Sequence, residues 1–137
     1  MGYEFINPED GFKKMDTTYK LLIIDDNKEI LTALTDFLSK KNYNVVSASD
    51  GLDGLKLLET EKQAFDLVIT DLVMPNISGV GLISIIKKKF PDIPVIAITG
   101  WGEHPEALAT EAQANRVLEK PFDLSELDIV IRELLSP

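Results

Sequence analysis

Five short apolar runs, each followed by apolar residues at helical spacing, restrict this chain to very few folds. The runs are Lys20–Ile24, Asn44–Ala48, Leu67–Ile69, Pro94–Ile98 and the weaker Arg116–Glu119. Compact Val, Ile and Leu runs are the pattern of parallel strands covered on both faces. Helical faces follow at Ile30, Leu31, Leu34, Phe37 and Leu38, at Leu52, Leu55 and Leu58, and at Gly79, Leu82, Ile83 and Ile86. A helix is expected from Pro105, which suits a first helical position. The last face is Leu127, Val130, Ile131 and Leu134. Asp50 reads as an N-cap, and Asp123-Leu124-Ser125-Glu126 has the form of a capping box.

Five such alternations with right-handed crossovers predict an α/β fold, a doubly wound five-stranded parallel sheet of flavodoxin-like (βα)5 type, strand order 2-1-3-4-5. In that order the carboxyl ends of the first and third strands lie side by side, where ligands gather in open parallel sheets. Asp25 and Asp26 follow the first strand, and Asp71 stands where the third should end. A turn built on Pro75, Asn76, Ser78 and Gly79 comes next. Thr99 and Lys120 arrive from the next two strand ends. Read alone, Asp71 is as readily a turn cap as a functional group.

The cluster changes that balance. Each close carboxylate pair costs on the order of 4 kcal/mol at an effective dielectric near 20, so the site needs either a proton or a cation. There is no cysteine, and His104 is the single histidine. An all-oxygen donor set of this kind favours Mg²⁺ with retained waters. A carboxylate such as Asp71 can attack phosphorus, while Lys120, the Thr99 hydroxyl and backbone N–H groups neutralise the transferring oxygens.

The chain has 137 residues, enough for one ordinary domain, and 45% of them are hydrophobic, which suits a packed core. With one histidine and no thiol, multi-histidine zinc sites and disulfides are excluded, and any Ser-His-Asp triad would have to use His104. Net charge of −9 disfavours direct binding to nucleic acid or to an anionic membrane. No apolar run approaches the roughly 20 residues of a membrane span, and the N-terminus lacks signal-peptide form; the expected location is cytoplasmic. Residues 1–19 show no sustained period and are expected to be an extension, disordered or of leader origin, with Met15 an alternative start; residues 20–137 form the domain. Tyr3, Phe5 and Ile6 leave a docking role open for the extension.

The set Asp25-Asp26, Asp71-x-x-Met74-Pro75 with Gly79, Thr99, and Lys120-Pro121-Phe122 resembles the receiver domain of two-component response regulators, the CheY-like family. The resemblance covers roughly residues 20–135. It implies that Asp71 is a phosphoacceptor served by a histidine kinase or phosphotransfer protein. It further implies that Asp25, Asp26, Asp71 and the carbonyl of Val73 form the Mg²⁺ site, with Asp25 acting largely through water. Thr99 would turn toward the phosphoryl group and Lys120 would pair with it, across a cis Lys120–Pro121 bond. Such a chain is a switch rather than a turnover enzyme, although it catalyses its own phosphorylation and dephosphorylation. Its partners are a kinase, contacting Asn27, Ile30 and the Asp123 region, and a downstream output domain or protein; the expected state is a monomer or weak dimer.

Three departures from the family pattern bear on signalling. Val117 stands where a switch aromatic is usual, so no ring can swing inward there. Gln113-Ala114 replaces a usual Gly-Ala, and Asn115 is expected to take over the left-handed position. Val73 and Trp101 flank the approach of a hydrolytic water and predict a long-lived phosphorylated form; alternatively Trp101 merely covers apolar surface. His104 reads as a surface residue. Lys87-Lys88-Lys89 reads as a solvated helix end, and Glu126, Asp128 and Glu133 as solubilising surface acids. Rival readings are an aspartyl phosphohydrolase, which Asp25-Asp26-Asn27 does not fit, a flavodoxin-type cofactor protein, whose first loop would need phosphate donors rather than acids, and a receiver that only docks.

Overall fold

Branched apolar side chains, stiff at the first torsion, draw the five runs into strands. The computed structural model describes residues 18–72, 74, 78–100 and 113–136. In chain order these form β1 (Lys20–Ile24), α1 (Lys28–Lys40), β2 (Asn44–Ala48), α2 (Gly51–Thr60), β3 (Leu67–Asp71), α3 (Gly79–Lys89), β4 (Val95–Thr99), β5 (Arg116–Glu119) and α4 (Leu124–Leu135). The sheet is parallel throughout, in the expected order β2-β1-β3-β4-β5. The helix expected from Pro105 lies outside the described residues, as do Val73, Trp101, His104 and residues 1–17. Among the described residues no helix is long and apolar enough to cross a membrane.

Every residue of β1, β3 and β4 is buried, whereas the edge strands β2 and β5 mix exposed, half-buried and buried residues. Period-2 alternation divides the buried side chains between two cores. Leu22, Ile24, Val68, Val95 and Ala97 meet Leu58 of α2 and Leu82, Ile83 and Ile86 of α3. On the other face Leu21, Ile23, Leu67, Ile69, Ile96 and Ile98 meet Leu34 and Leu38 of α1 and Leu127, Val130 and Ile131 of α4. Each fully buried aliphatic side chain contributes about 1.5–3 kcal/mol of burial, so the interdigitated faces hold the strand ends in fixed register.

Several local expectations need correction. Leu52 is not on the inner face of α2; it is 63% exposed. The buried stripe is Gly51, Gly54 and Leu58, and at Gly54 the missing side chain lets the helix lie close on Ile24. Asp50 does cap α2, accepting the Asp53 N–H at 2.8 Å. Asp123 precedes α4 but makes no side-chain cap bond. Asp128 is no surface acid: it is buried, accepts the Tyr43 hydroxyl at 3.0 Å and pairs with Arg132 at 2.8 Å. Lys87 is likewise more than a solvated helix end, since its ammonium donates to the Ile93 carbonyl and to Asn115 Oδ1. Gln113 itself takes the left-handed conformation (φ 65°), while Asn115 accepts the Val95 N–H at 2.8 Å and ties the start of β4 to the approach to β5.

Candidate functional site

The carboxyl edge of the sheet gathers its chemistry because β1 and β3 are neighbours. Register pairs Ile24 with Thr70, so the residues that follow each strand face one another across the switch point. β3 runs two residues beyond its apolar run and ends on Asp71 itself. Carboxylate oxygens of Asp25, Asp26 and Asp71 all lie within 4.8 Å of one another. Asp25 and Asp71 are buried and Asp26 is exposed.

Backbone ties fix Asp25 and the peptide that follows Asp71. Asp25 donates its N–H to the Ala48 carbonyl at 3.2 Å, and its Oδ1 accepts the Asn27 N–H at 2.9 Å. Asn27 then caps α1, accepting the N–H groups of Glu29 and Ile30 at 3.0 and 3.2 Å. Beyond Asp71, the Leu72 N–H reaches the Ile98 carbonyl of β4 at 2.9 Å. Thr99 is fully buried at the end of β4, and its carbonyl accepts the Lys120 N–H at 2.8 Å. Lys120–Pro121 is cis. The Lys120 ammonium stands 3.4 Å from Asp71 Oδ2.

The electrostatics are those of a site awaiting positive charge. At 4.8 Å the two buried carboxylates, Asp25 and Asp71, repel by about 3.5 kcal/mol at an effective dielectric of 20. Burial is the largest influence on Asp25 and pushes its carboxyl above the ordinary range; Asp71 and Asp26 push the same way, while the Asn27 N–H and Lys120 oppose them. Asp25 Oδ2 is buried without a hydrogen-bond partner among the described residues. An orphan anionic oxygen next to two further carboxylates, with no nitrogen or sulfur donor in the cluster, fits a hard divalent cation.

All five strand-end side chains named from the sequence therefore stand along one edge, and Asp25, Asp26, Asp71 and Lys120 meet in one cluster. Val73, whose carbonyl completes the expected cation set, lies outside the described residues. The sequence reading missed Thr70, a fully buried residue whose hydroxyl donates to the Asp71 carbonyl at 3.1 Å. A hydroxyl inside an otherwise aliphatic buried run was the available signal. The Asn27 N–H also fixes Asp25, a role not expected of that residue from the sequence.

Comparison with known proteins gives a consistent likeness. Residues 21–132 match the family model of the response regulator receiver domain. The transcriptional regulatory protein GlrR of Escherichia coli is 39% identical over 117 residues, which are 85% of this chain and 26% of that protein. A receiver domain protein from Clostridium thermocellum superposes with a TM-score of 0.79 at 34% identity, covering 85% of this chain and 94% of that one. The response regulator TrrA of Thermotoga maritima, solved in complex with Mg²⁺ and BeF, gives 0.78 at 30% identity, covering 86% and 100%. The chain spans about a quarter to a half of the length of the first relatives it matches.

Proposed function

The chain belongs to the response regulator receiver domain family of two-component signalling, and from that premise we propose that Asp71 is its phosphoacceptor. Phosphorylation and Mg²⁺ binding are general to the family. The observation that carries the assignment is the cluster itself: three carboxylates within 4.8 Å, one ammonium 3.4 Å from Asp71, and a partnerless buried oxygen on Asp25. Asp25, Asp26 and Asp71, with the Val73 carbonyl, would hold Mg²⁺. Bound there, the ion supplies positive charge to the phosphoryl oxygens.

The transfer is a substitution at phosphorus. A carboxylate oxygen of Asp71 forms the new P–O bond as the donor's P–N bond, or acyl P–O bond, breaks and the electron pair leaves with the donor. Lys120 stabilises the negative charge on the transferring group, and Asn27 keeps Asp25 aligned through its N–H. Thr99 turns its hydroxyl toward the product phosphoryl group. Val117 is half-buried against the core and faces Ala97 in register. It offers no ring to follow that movement, so Thr99 carries the change alone.

Residues 20–137 act in this reading as the receiver unit and residues 1–19 as an extension to it. The protein is a cytoplasmic switch rather than a turnover enzyme, phosphorylated by a histidine kinase or phosphotransfer protein and read by an output domain or partner. Incubation with Mg²⁺ and acetyl phosphate, followed by intact mass, tests the core of it. The wild-type chain should gain one phosphoryl group and Asp71→Asn none. A full adduct on Asp71→Asn would refute the assignment.

A further inference from the structure

β3 hands over to α3 through a contact with no spare volume. Gly79, the first residue of α3, donates its N–H to the Leu72 carbonyl at 2.9 Å. A Cβ built on Gly79 would meet the Asp71 carbonyl oxygen at 2.5 Å and the Leu72 carbonyl oxygen at 2.6 Å, and would collide with Leu72 Cα. Real Cβ atoms essentially never come within 3.0 Å of such atoms. Every obstacle is main chain, so no side-chain rotation relieves it. The same peptide is held elsewhere too: the Leu72 N–H is tied to Ile98 and the Asp71 carbonyl to the Thr70 hydroxyl.

We propose that Gly79 is a positioning residue for phosphoryl transfer. By letting α3 rest directly on the Asp71–Leu72 peptide, it sets the aim of the Asp71 carboxylate at Asp25, Asp26 and Lys120. Its service is the absence of a side chain at a point where helix and acceptor peptide touch. A methyl group there forces a retreat of at least 0.5 Å at the Asp71 carbonyl, from 2.5 to 3.0 Å. Since misplacement by about 1 Å costs on the order of 10²-fold in rate, half of that predicts a loss of about tenfold. The inference rests on Asp71 being the acceptor.

The test uses the full chain, Mg²⁺ and acetyl phosphate, with the rate of adduct formation followed by intact mass. Gly54→Ala is the control: its new methyl would strike Ile24 Cδ1 and, at 2.9 Å, Cγ1, atoms of a movable side chain rather than of the main chain. At a temperature where both variants are folded by circular dichroism, Gly79→Ala should be about tenfold slower at saturating donor, with an unchanged half-saturating donor concentration. Gly54→Ala should keep the wild-type rate within about twofold, because the Ile24 side chain it strikes can yield where main chain cannot. A wild-type rate in Gly79→Ala, or equal slowing in Gly54→Ala, overturns the proposal. Should Gly79→Ala not fold, Thr70→Val decides, since it releases the same peptide without adding volume. Slower transfer in Thr70→Val supports the proposal and an unchanged rate refutes it. An adduct that survives Asp71→Asn would strike the acceptor assignment instead, whereas Asp71-dependent labelling at full rate in Gly79→Ala strikes the positioning role alone.

Discussion

Asp25→Asn should stabilise the metal-free chain and lose that advantage when Mg²⁺ is added. In the wild type, Asp25 is buried with Oδ2 unpartnered and lies within 4.8 Å of two other carboxylates. Its repulsion with Asp71 is about 3.5 kcal/mol at an effective dielectric of 20, and Lys120 offsets roughly half of it. Asp26 is exposed and screened, so it adds little. The bond from the Asn27 N–H survives, because an amide oxygen accepts as a carboxylate does. Neutralising residue 25 should therefore raise stability by about 1–2 kcal/mol, or roughly 4–8 °C in Tm for a domain of this size. The pH dependence has a definite sign. Burial raises the Asp25 carboxyl pKa in the folded chain, so the folded state binds this proton more tightly than the unfolded state. Stability from this group is then full below its ordinary value of 3.8, declines as pH rises toward the raised folded value, and is lowest above it. Asp25→Asn abolishes that decline. Added Mg²⁺ at 100 times its Kd should stabilise the wild type by about 2.7 kcal/mol and the variant far less, reversing the order. Urea unfolding in EDTA and in Mg²⁺, at pH 4 and pH 7, measures every part of this. A variant less stable than wild type in EDTA, or equal Mg²⁺ stabilisation of both, would refute the electrostatic account.

Two further substitutions probe ties that hold the frame of the site. Asn115→Ala removes the acceptor of the Val95 N–H (2.8 Å) and one partner of Lys87, so it should cost about 1–3 kcal/mol in urea unfolding. A change near zero would mean that water replaces the amide. Tyr43→Phe should cost about 1 kcal/mol, because Asp128 keeps Arg132. Burial first, and the bond to Asp128 second, raise the Tyr43 pKa, so wild-type stability should fall as pH climbs past 10.0, and the variant should show a shallower fall. Parallel alkaline limbs would contradict that placement of the phenol.

What the sequence disclosed and what it hid follow from range. A strand end is announced by a neighbouring apolar run, and parallel topology alone then brings Asp25, Asp71 and Lys120 to one edge; only local pattern and chain direction are needed. Strand bounds accordingly emerged almost whole: β1, β2 and β5 as expected, β3 longer by two residues, and β4 shifted by one. Polar ties between distant elements carry no comparable signal. Asp128 meets Tyr43 across 85 residues of chain, and Lys87 meets Asn115 across 28. Even so, Asp128 follows Leu124 by four and precedes Ile131 by three, which sets it on the buried stripe of α4 and should have marked it as an interior acid. Leu52 failed in the opposite direction: apolar character was weighed, while the glycine at 54 that lets α2 lie against Ile24 was not. Gly79 combines both lessons. Its place in a turn was evident, but a turn needs glycine only for φ, and φ is not what requires it here. The requirement comes from the Asp71 and Leu72 carbonyls on the neighbouring strand end, so conformational preference alone could not reveal it. The functional consequence is that the acceptor's precision resides partly in an atom the sequence leaves out.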